Sequence, residues 1–223
     1  MKTQQYKEYC VKKNTFDCEY KVYYNKKYDG GGPLFIENIF SKKEFLNDNK
    51  NIKSILELCS GPGFIGWYLF HQLGAETVSF SDLNQEVSEG IELTNKRYNY
   101  NFKFYHSDGF KNYTGGKVDL IVCNPPFFDK EEQLQAFINW HQIQDEQTAR
   151  YIALDKNFNL HKRIIKEYSK YLNEGGKFII INDIRYNKPE TLVSFAKPNV
   201  KYKVNQFNIK EKNPNYYTLT FYK

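Results

Sequence analysis

From residue 53 onward, short apolar runs alternate with longer stretches whose apolar positions recur at helical spacing. KSILEL (53–58) reads as a strand, and GFIGWYLFHQLG (63–74) as a helix stopped by Gly74. TVSFSDL (77–83) is a second strand, followed by helix QEVSEGIELTNKRYN (85–99). FKFYHSD (102–108) alternates as a strand should, and KVDLIVCN (117–124) is the next strand. Helix EEQLQAFINWHQ (131–142) follows. A helix over 159–176, closed by Gly175 and Gly176, precedes strand KFIIIND (177–183). The tail offers helix KPETLVSFA (188–196) and strands 202–210 and 215–223, joined by EKNPN. Strands alternating with helices predict an α/β domain, with a parallel sheet covered on both faces. The last two strands predict an antiparallel hairpin at one edge.

The first fifty residues are less regular. Residues 1–28 are rich in Lys and Tyr and weakly periodic; Gly30, Gly31 and Gly32 mark a lid hinge or a linker, and Pro33 a restart. Apolar positions 35, 36, 39, 40, 45 and 46 predict a short amphipathic helix over 35–46. The expected organisation is an N-terminal Lys/Tyr-rich extension over 1–50, suited to recognising a partner, and one α/β domain over 51–223.

Composition narrows the class. Forty per cent hydrophobic content against 26% charged residues argues for a folded globular chain. A formal charge of +6 is compatible with an anionic partner without requiring one. No apolar run reaches the length that spans a bilayer, and the N-terminus has no secretory apolar core. The chain is therefore expected in the cytoplasm, off the membrane, with its four cysteines as reduced thiols. The spacing of Cys10 and Cys18 matches no common zinc site, so no metal is expected. His71, His106, His141 and His161 lack metal-like spacing and read as surface or helix residues.

The candidate chemistry lies at the strand ends. In such sheets ligands sit outside the carboxyl ends of the strands. LELCSGPGFIG follows the first strand: Gly61 and Gly63 would let backbone pass close to a ligand, and Gly66 would let the helix pack tightly. These glycines also satisfy the spacing of a dinucleotide site, so they leave the nucleotide open. Asp82 ends the second strand, where a carboxylate can accept from ribose hydroxyls. Asp108 ends the third, placed to accept from the exocyclic amine of a base.

ILELCSGPGFIG, FSDLN, HSDGF and DLIVCNPPF, in this order, resemble class I S-adenosylmethionine-dependent methyltransferases over residues 50–183. The resemblance implies a doubly wound, mostly parallel, seven-stranded Rossmann-like sheet with an antiparallel C-terminal hairpin. It implies S-adenosylmethionine bound along Glu57, Cys59, Ser60, Gly61, Gly63, Asp82, Leu83, Asp108, Gly109 and Asn124. Glu57 would face its amino-acid end, Asp82 its ribose and Asp108 its adenine. Where the family usually has Gly, this chain has Cys59, and the loop is expected to adjust around it.

Proline cannot continue a strand ladder, so the fourth strand must stop at Asn124. The Asn124 side-chain oxygen and the Pro125 carbonyl can together hold the two N–H bonds of a planar NH2 group. As methyl transfer makes that nitrogen more positive, both acceptors bind more strongly. Pro125 and Pro126 fix the carbonyl direction, and Phe127 or Phe128 can stack on a flat substrate. The segment resembles the Asn-Pro-Pro-(Tyr/Phe) element of N-methyltransferases acting on glutamine, adenine N6 or guanine N2.

Two macromolecular substrates fit. Ala153, Leu154, Leu160 and Arg163 extend a resemblance to the HemK-like release-factor glutamine methyltransferases, which favours a protein glutamine. Lysines interleaved with tyrosines over residues 7–28 favour an RNA or DNA base, held flipped out. A non-catalytic cofactor-binding partner subunit is the alternative of another class. A monomer is favoured over an oligomer.

Overall fold

The computed structural model describes residues 6–13, 17–141, 145–208 and 215–223. In chain order, β1 (Lys7–Lys13) and β2 (Asp17–Tyr24) form an antiparallel hairpin. Short α1 (Gly32–Phe35), a π turn over Ile36–Phe40 and α2 (Lys43–Asp48) lead into β3 (Ser54–Leu58). Then come α3 (Phe64–Leu73), β4 (Thr77–Asp82), α4 (Ser88–Tyr98), β5 (Phe104–His106) and β6 (Val118–Cys123). The chain continues through α5 (Glu131–His141), α6 (Glu146–Ala153), α7 (Asn159–Glu167), β7 (Leu172–Asp183) and α8 (Pro189–Val193). It ends in β8 (Tyr202–Asn208) and β9 (Asn215–Tyr222).

The main sheet has seven strands in the order β5-β4-β3-β6-β7-β9-β8. Pairings from β5 to β7 are parallel, and β9 runs antiparallel to both β7 and β8. This is the expected mostly parallel sheet with its C-terminal hairpin; the connection over 211–214 lies outside the described residues. Alternate residues of β3 face opposite cores. Ile55 joins Val78, Phe80, Val122 and Trp67 on one side. Leu56 and Leu58 join Ile121, Phe178 and Ile164 on the other. Burial on both faces is why these strands read as nearly continuous apolar runs. Strand order reverses between β3 and β6, so their carboxyl ends open a crevice where Ser60 and Asn124 emerge.

Several expectations need correction. The helix expected over 159–176 ends at Glu167, and β7 already begins at Leu172. Val118 pairs with Leu172 but Leu120 with Lys177, so the residues between bulge out of the ladder, with Gly175 at φ 75°. The two glycines mark that bulge, not a helix stop. The helix over 35–46 is broken by the π turn, which buries Ile36, Ile39 and Phe40. Helix α6, absent from the expected elements, starts where the Asp145 carboxylate accepts from Thr148 N at 3.0 Å.

Residues 1–28, read as weakly periodic, contain the hairpin. It docks on α4, with Lys21 N donating to the Tyr98 hydroxyl at 2.6 Å and Tyr23 N to Thr94 Oγ1 at 3.0 Å. Gly90 makes this approach possible, since a Cβ there would lie 2.6 Å from the Tyr23 carbonyl oxygen. Val22, Phe35, Ile36, Ile39 and Phe40 share one core with residues of the sheet. Cys10 is disulfide-bonded, which overturns the expectation that all four cysteines are free thiols. Cys59 and Cys123 are free, and the side chain of Cys18 lies outside the described set. His161, read as a surface or helix residue, lies on α7 and is fully buried.

Candidate active site

A cavity of about 420 Å3 opens at the switch point. Its wall includes Glu57, Cys59, Ser60, Gly61, Asp82, Leu83, Asp108, Gly109 and Asn124, so most of the residues expected to hold a cofactor do meet at one place. Gly63 is not on that wall. It sits at φ 83° under α3, where a Cβ would lie 2.7 Å from the Phe80 ring, so its role is packing.

Glu57 is buried at the end of β3, and its Oε2 accepts from Gly66 N at 2.6 Å. Gly66 is required by that approach, because a Cβ there would also fall 2.7 Å from Oε2. Burial pushes the Glu57 pKa up to about 8, against the N–H groups of Gly66 and Ile65, which lower it. Asp82 ends β4. One of its oxygens accepts from Gly61 N and the other from Asn84 N, each at 2.8 Å. Burial still leaves the Asp82 pKa raised. Four lone-pair sites on a carboxylate leave room for two further donors, which is what a ribose diol presents.

Asp108 differs from expectation in its company. Arg163 on α7 grips it with two parallel hydrogen bonds of 2.6 and 2.5 Å. One lone pair on each Asp108 oxygen remains for an adenine amine. Cys59 adopts φ 53°. The loop has kept the left-handed turn that a glycine would serve, instead of adjusting, and the side chain bears the strain. Its thiol is hydrogen-bonded to Cys123, whose own pKa burial raises well above that of an ordinary thiol.

Asn124 stands at the end of β6, stopped there by the two prolines. Its Nδ2 donates to the carbonyl of Gly30 at 3.0 Å. That bond assigns the amide orientation and turns Oδ1 away from Gly30. Pro126 lines the cavity; Pro125 is buried and Phe127 lies off the wall. Phe127 stacks on Tyr186, with ring centroids 5.6 Å apart. Phe128 is fully buried among Leu134, Phe137 and Ile138, so it cannot stack on a substrate as expected. The backbone of Phe128 bridges to Leu154: its N–H donates to Ala153 O and its carbonyl accepts from Asp155 N, both at 2.8 Å. The Ala153-Leu154 pair thus borders the same turn.

Sequence reasoning left the N-terminal wall open, reading Gly30–Gly32 as a lid hinge or a linker. Tyr28, Gly30 and Gly32 line the cavity, and a Cβ on Gly32 would meet Phe64 at 2.8 Å. The run of three glycines was the available signal. The mouth carries three exposed apolar side chains, Leu83, Tyr151 and Ile152. Its cations are paired: Arg150 with Glu131, Arg163 with Asp108, and neighbouring Lys27 with Asp145.

The chain was compared with known proteins. It is 32% identical over 171 residues to the ribosomal protein uL3 glutamine methyltransferase of Francisella tularensis, covering 72% of this chain and 53% of that protein. It is 31% identical over 149 residues to a putative protein N5-glutamine methyltransferase of Methanocaldococcus jannaschii, covering 66% of this chain and 70% of the relative. The chain spans about half the length of the first curated relatives it matches. Among solved structures, the Thermus thermophilus 16S rRNA N2 G1207 methyltransferase, in complex with AdoMet and guanosine, superposes with a TM-score of 0.63. That likeness covers 98% of this chain and 51% of the other at 15% identity, and it speaks for the fold alone. The family model of the methyltransferase small domain matches residues 13–149, more than half of the chain, and the protein belongs to that family.

Proposed function

We propose that the protein is an S-adenosylmethionine-dependent N-methyltransferase that methylates the side-chain amide of a glutamine in a protein. The observation that carries this reading is the Asn124–Gly30 hydrogen bond of 3.0 Å, which leaves the Asn124 oxygen as an acceptor at the cavity wall.

The residues present fit the cofactor. Glu57 is a buried carboxyl whose charged form burial disfavours, and a cationic ammonium group beside it would restore that form; Asp82 suits a ribose and Asp108 an amine. When bound, S-adenosylmethionine supplies a methyl group already activated by its sulfonium centre. The chain then has to align the nucleophile and stabilise the charge it gains. Asn124 Oδ1 accepts from one amide N–H bond, and that bond strengthens as the nitrogen becomes tetrahedral; the Pro125 carbonyl, expected as the second acceptor, belongs to a residue that is buried off the cavity wall. The proton leaves after transfer, so no side chain here acts as a general base. Phe127 supports the turn from behind.

The cations around the cavity favour a polypeptide over a nucleic acid. A phosphate backbone needs unpaired Lys and Arg, whereas Arg150, Arg163 and Lys27 are each matched by a carboxylate. Leu83, Tyr151 and Ile152 offer an apolar rim instead. Two hairpin tyrosines also turn inward: Tyr9 and Tyr24 pack edge-on against Phe64. Both curated relatives named above are glutamine methyltransferases by name. Residues 1–50 would help shape the substrate's approach, and the reaction would run in the cytoplasm on a macromolecular partner.

The test is transfer of labelled methyl from S-adenosylmethionine to a cell extract, divided afterwards between protease and nuclease, with Asn124→Ala as control. Label released by protease and recovered as methylglutamine supports the proposal. Label released by nuclease overturns the substrate, and absence of label in both would leave the non-catalytic binding subunit standing in its place.

A further inference from the structure

A chain of buried polar side chains runs from α7 to the turn that carries Asn124. Asp155, His161, Asn182 and Asn187 are 6%, 0%, 2% and 1% exposed, in places where apolar residues are the default. Asp155 Oδ1 accepts from Leu160 N at 2.8 Å, while Oδ2 takes His161 N at 3.0 Å and His161 Nδ1 at 2.6 Å. On the other side of the ring, His161 Nε2 lies 3.0 Å from Asn182 Nδ2. Asn182 Oδ1 accepts from both Asp183 N and Asn187 Nδ2 at 2.8 Å. The second N–H of Asn187 reaches the Phe127 carbonyl at 2.6 Å.

These contacts determine every orientation in the chain. Two donors converge on Asn182 Oδ1, so its NH2 must face His161. His161 Nε2 is then an acceptor, and its single proton sits on Nδ1, donated to Asp155. Both N–H bonds of Asn187 are spent, and its Oδ1 has no protein partner. A buried amide that leaves one atom unsatisfied costs more than an apolar residue of the same shape. Its NH2 group is therefore the feature the position uses. Tyr217 donates to the Asn187 carbonyl at 2.8 Å and holds that residue in place.

We propose that Asp155, His161, Asn182 and Asn187 are positioning residues, a relay that fixes the Phe127 carbonyl and thereby the geometry of residues 124–127 at the transfer site. The catalytic part of this statement rests on the function proposed above. Besides β6 and the Asn124–Gly30 bond, the turn is held by the Phe128–Leu154 bridge and the Asn187 bond to Phe127. The first sets where the chain leaves; the second sets how the peptide before it is rotated. Asn124 lies three residues before Phe127, so a change in that rotation shifts its amide against the Gly30 carbonyl that orients it.

The experiment has two arms. In the first, nitrogen NMR of the wild-type protein reads the His161 tautomer and the Asn124 side-chain amide. The proton is expected on Nδ1; a proton on Nε2 overturns the relay without any variant being made. Asn187→Leu and His161→Leu should move the Asn124 amide resonance and weaken its contact with Gly30, while the Gly61 amide stays in place. His161→Gln, whose amide can donate to Asp155 and accept from Asn182, should restore it. An unmoved Asn124 resonance in both leucine variants overturns the relay. In the second arm, methyl transfer to extract protein at saturating S-adenosylmethionine should fall by about tenfold or more in the leucine variants. His161→Gln should recover it, with the Kd for S-adenosylhomocysteine unchanged throughout. A parallel loss of cofactor affinity would mean a merely structural role. If the wild type transfers no methyl, the function proposed above fails, and the first arm still decides the relay.

Discussion

Asn124 and Gly30 are 94 residues apart in sequence, and the side-chain amide of one donates to the backbone carbonyl of the other at 3.0 Å. An asparagine amide can present either face, and the two are nearly isosteric. Gly30 decides between them. The segment before the sheet thus sets the polarity of the group that would meet the substrate.

Asn124→Ala should lower turnover on the order of 10²–10³-fold, the usual cost of one preorganised transition-state hydrogen bond, while weakening S-adenosylhomocysteine far less than that. Asn124→Asp should fare no better, because a carboxylate oxygen would then face the Gly30 carbonyl. Single-turnover transfer measures both. Retained turnover in the alanine variant would remove Asn124 from the mechanism.

Asp82 holds Gly61 N and Asn84 N while keeping acceptor capacity free. Asp82→Ala should weaken cofactor binding by about 10–100-fold, roughly 1.4–2.8 kcal/mol. Titration calorimetry with S-adenosylhomocysteine gives the number. Unchanged affinity would place the ribose elsewhere.

Glu57 links stability to pH. Its pKa is about 8 in the folded protein against an ordinary 4.5, so the folded state holds a proton that the unfolded chain releases between those values. Its contribution is fully present below pH 4.5, declines through the window and is lost above pH 8. Relative to Glu57→Gln, the wild type should lose on the order of 1 kcal/mol per pH unit across that window. Urea unfolding at several pH values tests this; a flat difference would show that Glu57 is already ionised in the free protein.

Cys59 sits at φ 53°. Glycine normally stabilises less than alanine, but here the order should invert. Cys59→Gly is expected to be more stable than Cys59→Ala by about 1 kcal/mol, the cost of a Cβ in the left-handed region. Thermal unfolding of the two variants, side by side, reads it. Equal melting temperatures would show that the turn relaxes.

Local pattern exposes one kind of information well. Ser54–Leu58 and Val118–Cys123 are buried on both faces, so each reads as an apolar run, and the residue at the end of each run must lie at the carboxyl edge of the sheet. Glu57 and Asn124 were legible for that reason, while Asp82 and Asp108 were legible from the strand patterns that precede them, which are only partly buried. The bulge in β7 was not, because Leu160, Ile164, Ile165, Tyr168 and Leu172 keep helical spacing past the end of α7. Only the pairing of Leu172 with Val118 pulls the chain out of helix.

What the sequence determined by itself is the sheet, the acids at its strand ends and the stop at Asn124, since each depends on residues adjacent in the chain. The tertiary structure decided which way the Asn124 amide points, what grips Asp108, and why Phe127 faces Tyr186 instead of the cavity. It also decided that His161 is buried between Asp155 and Asn182. A hydrogen bond depends on distance and angle between two groups, and chain order fixes neither when dozens of residues intervene.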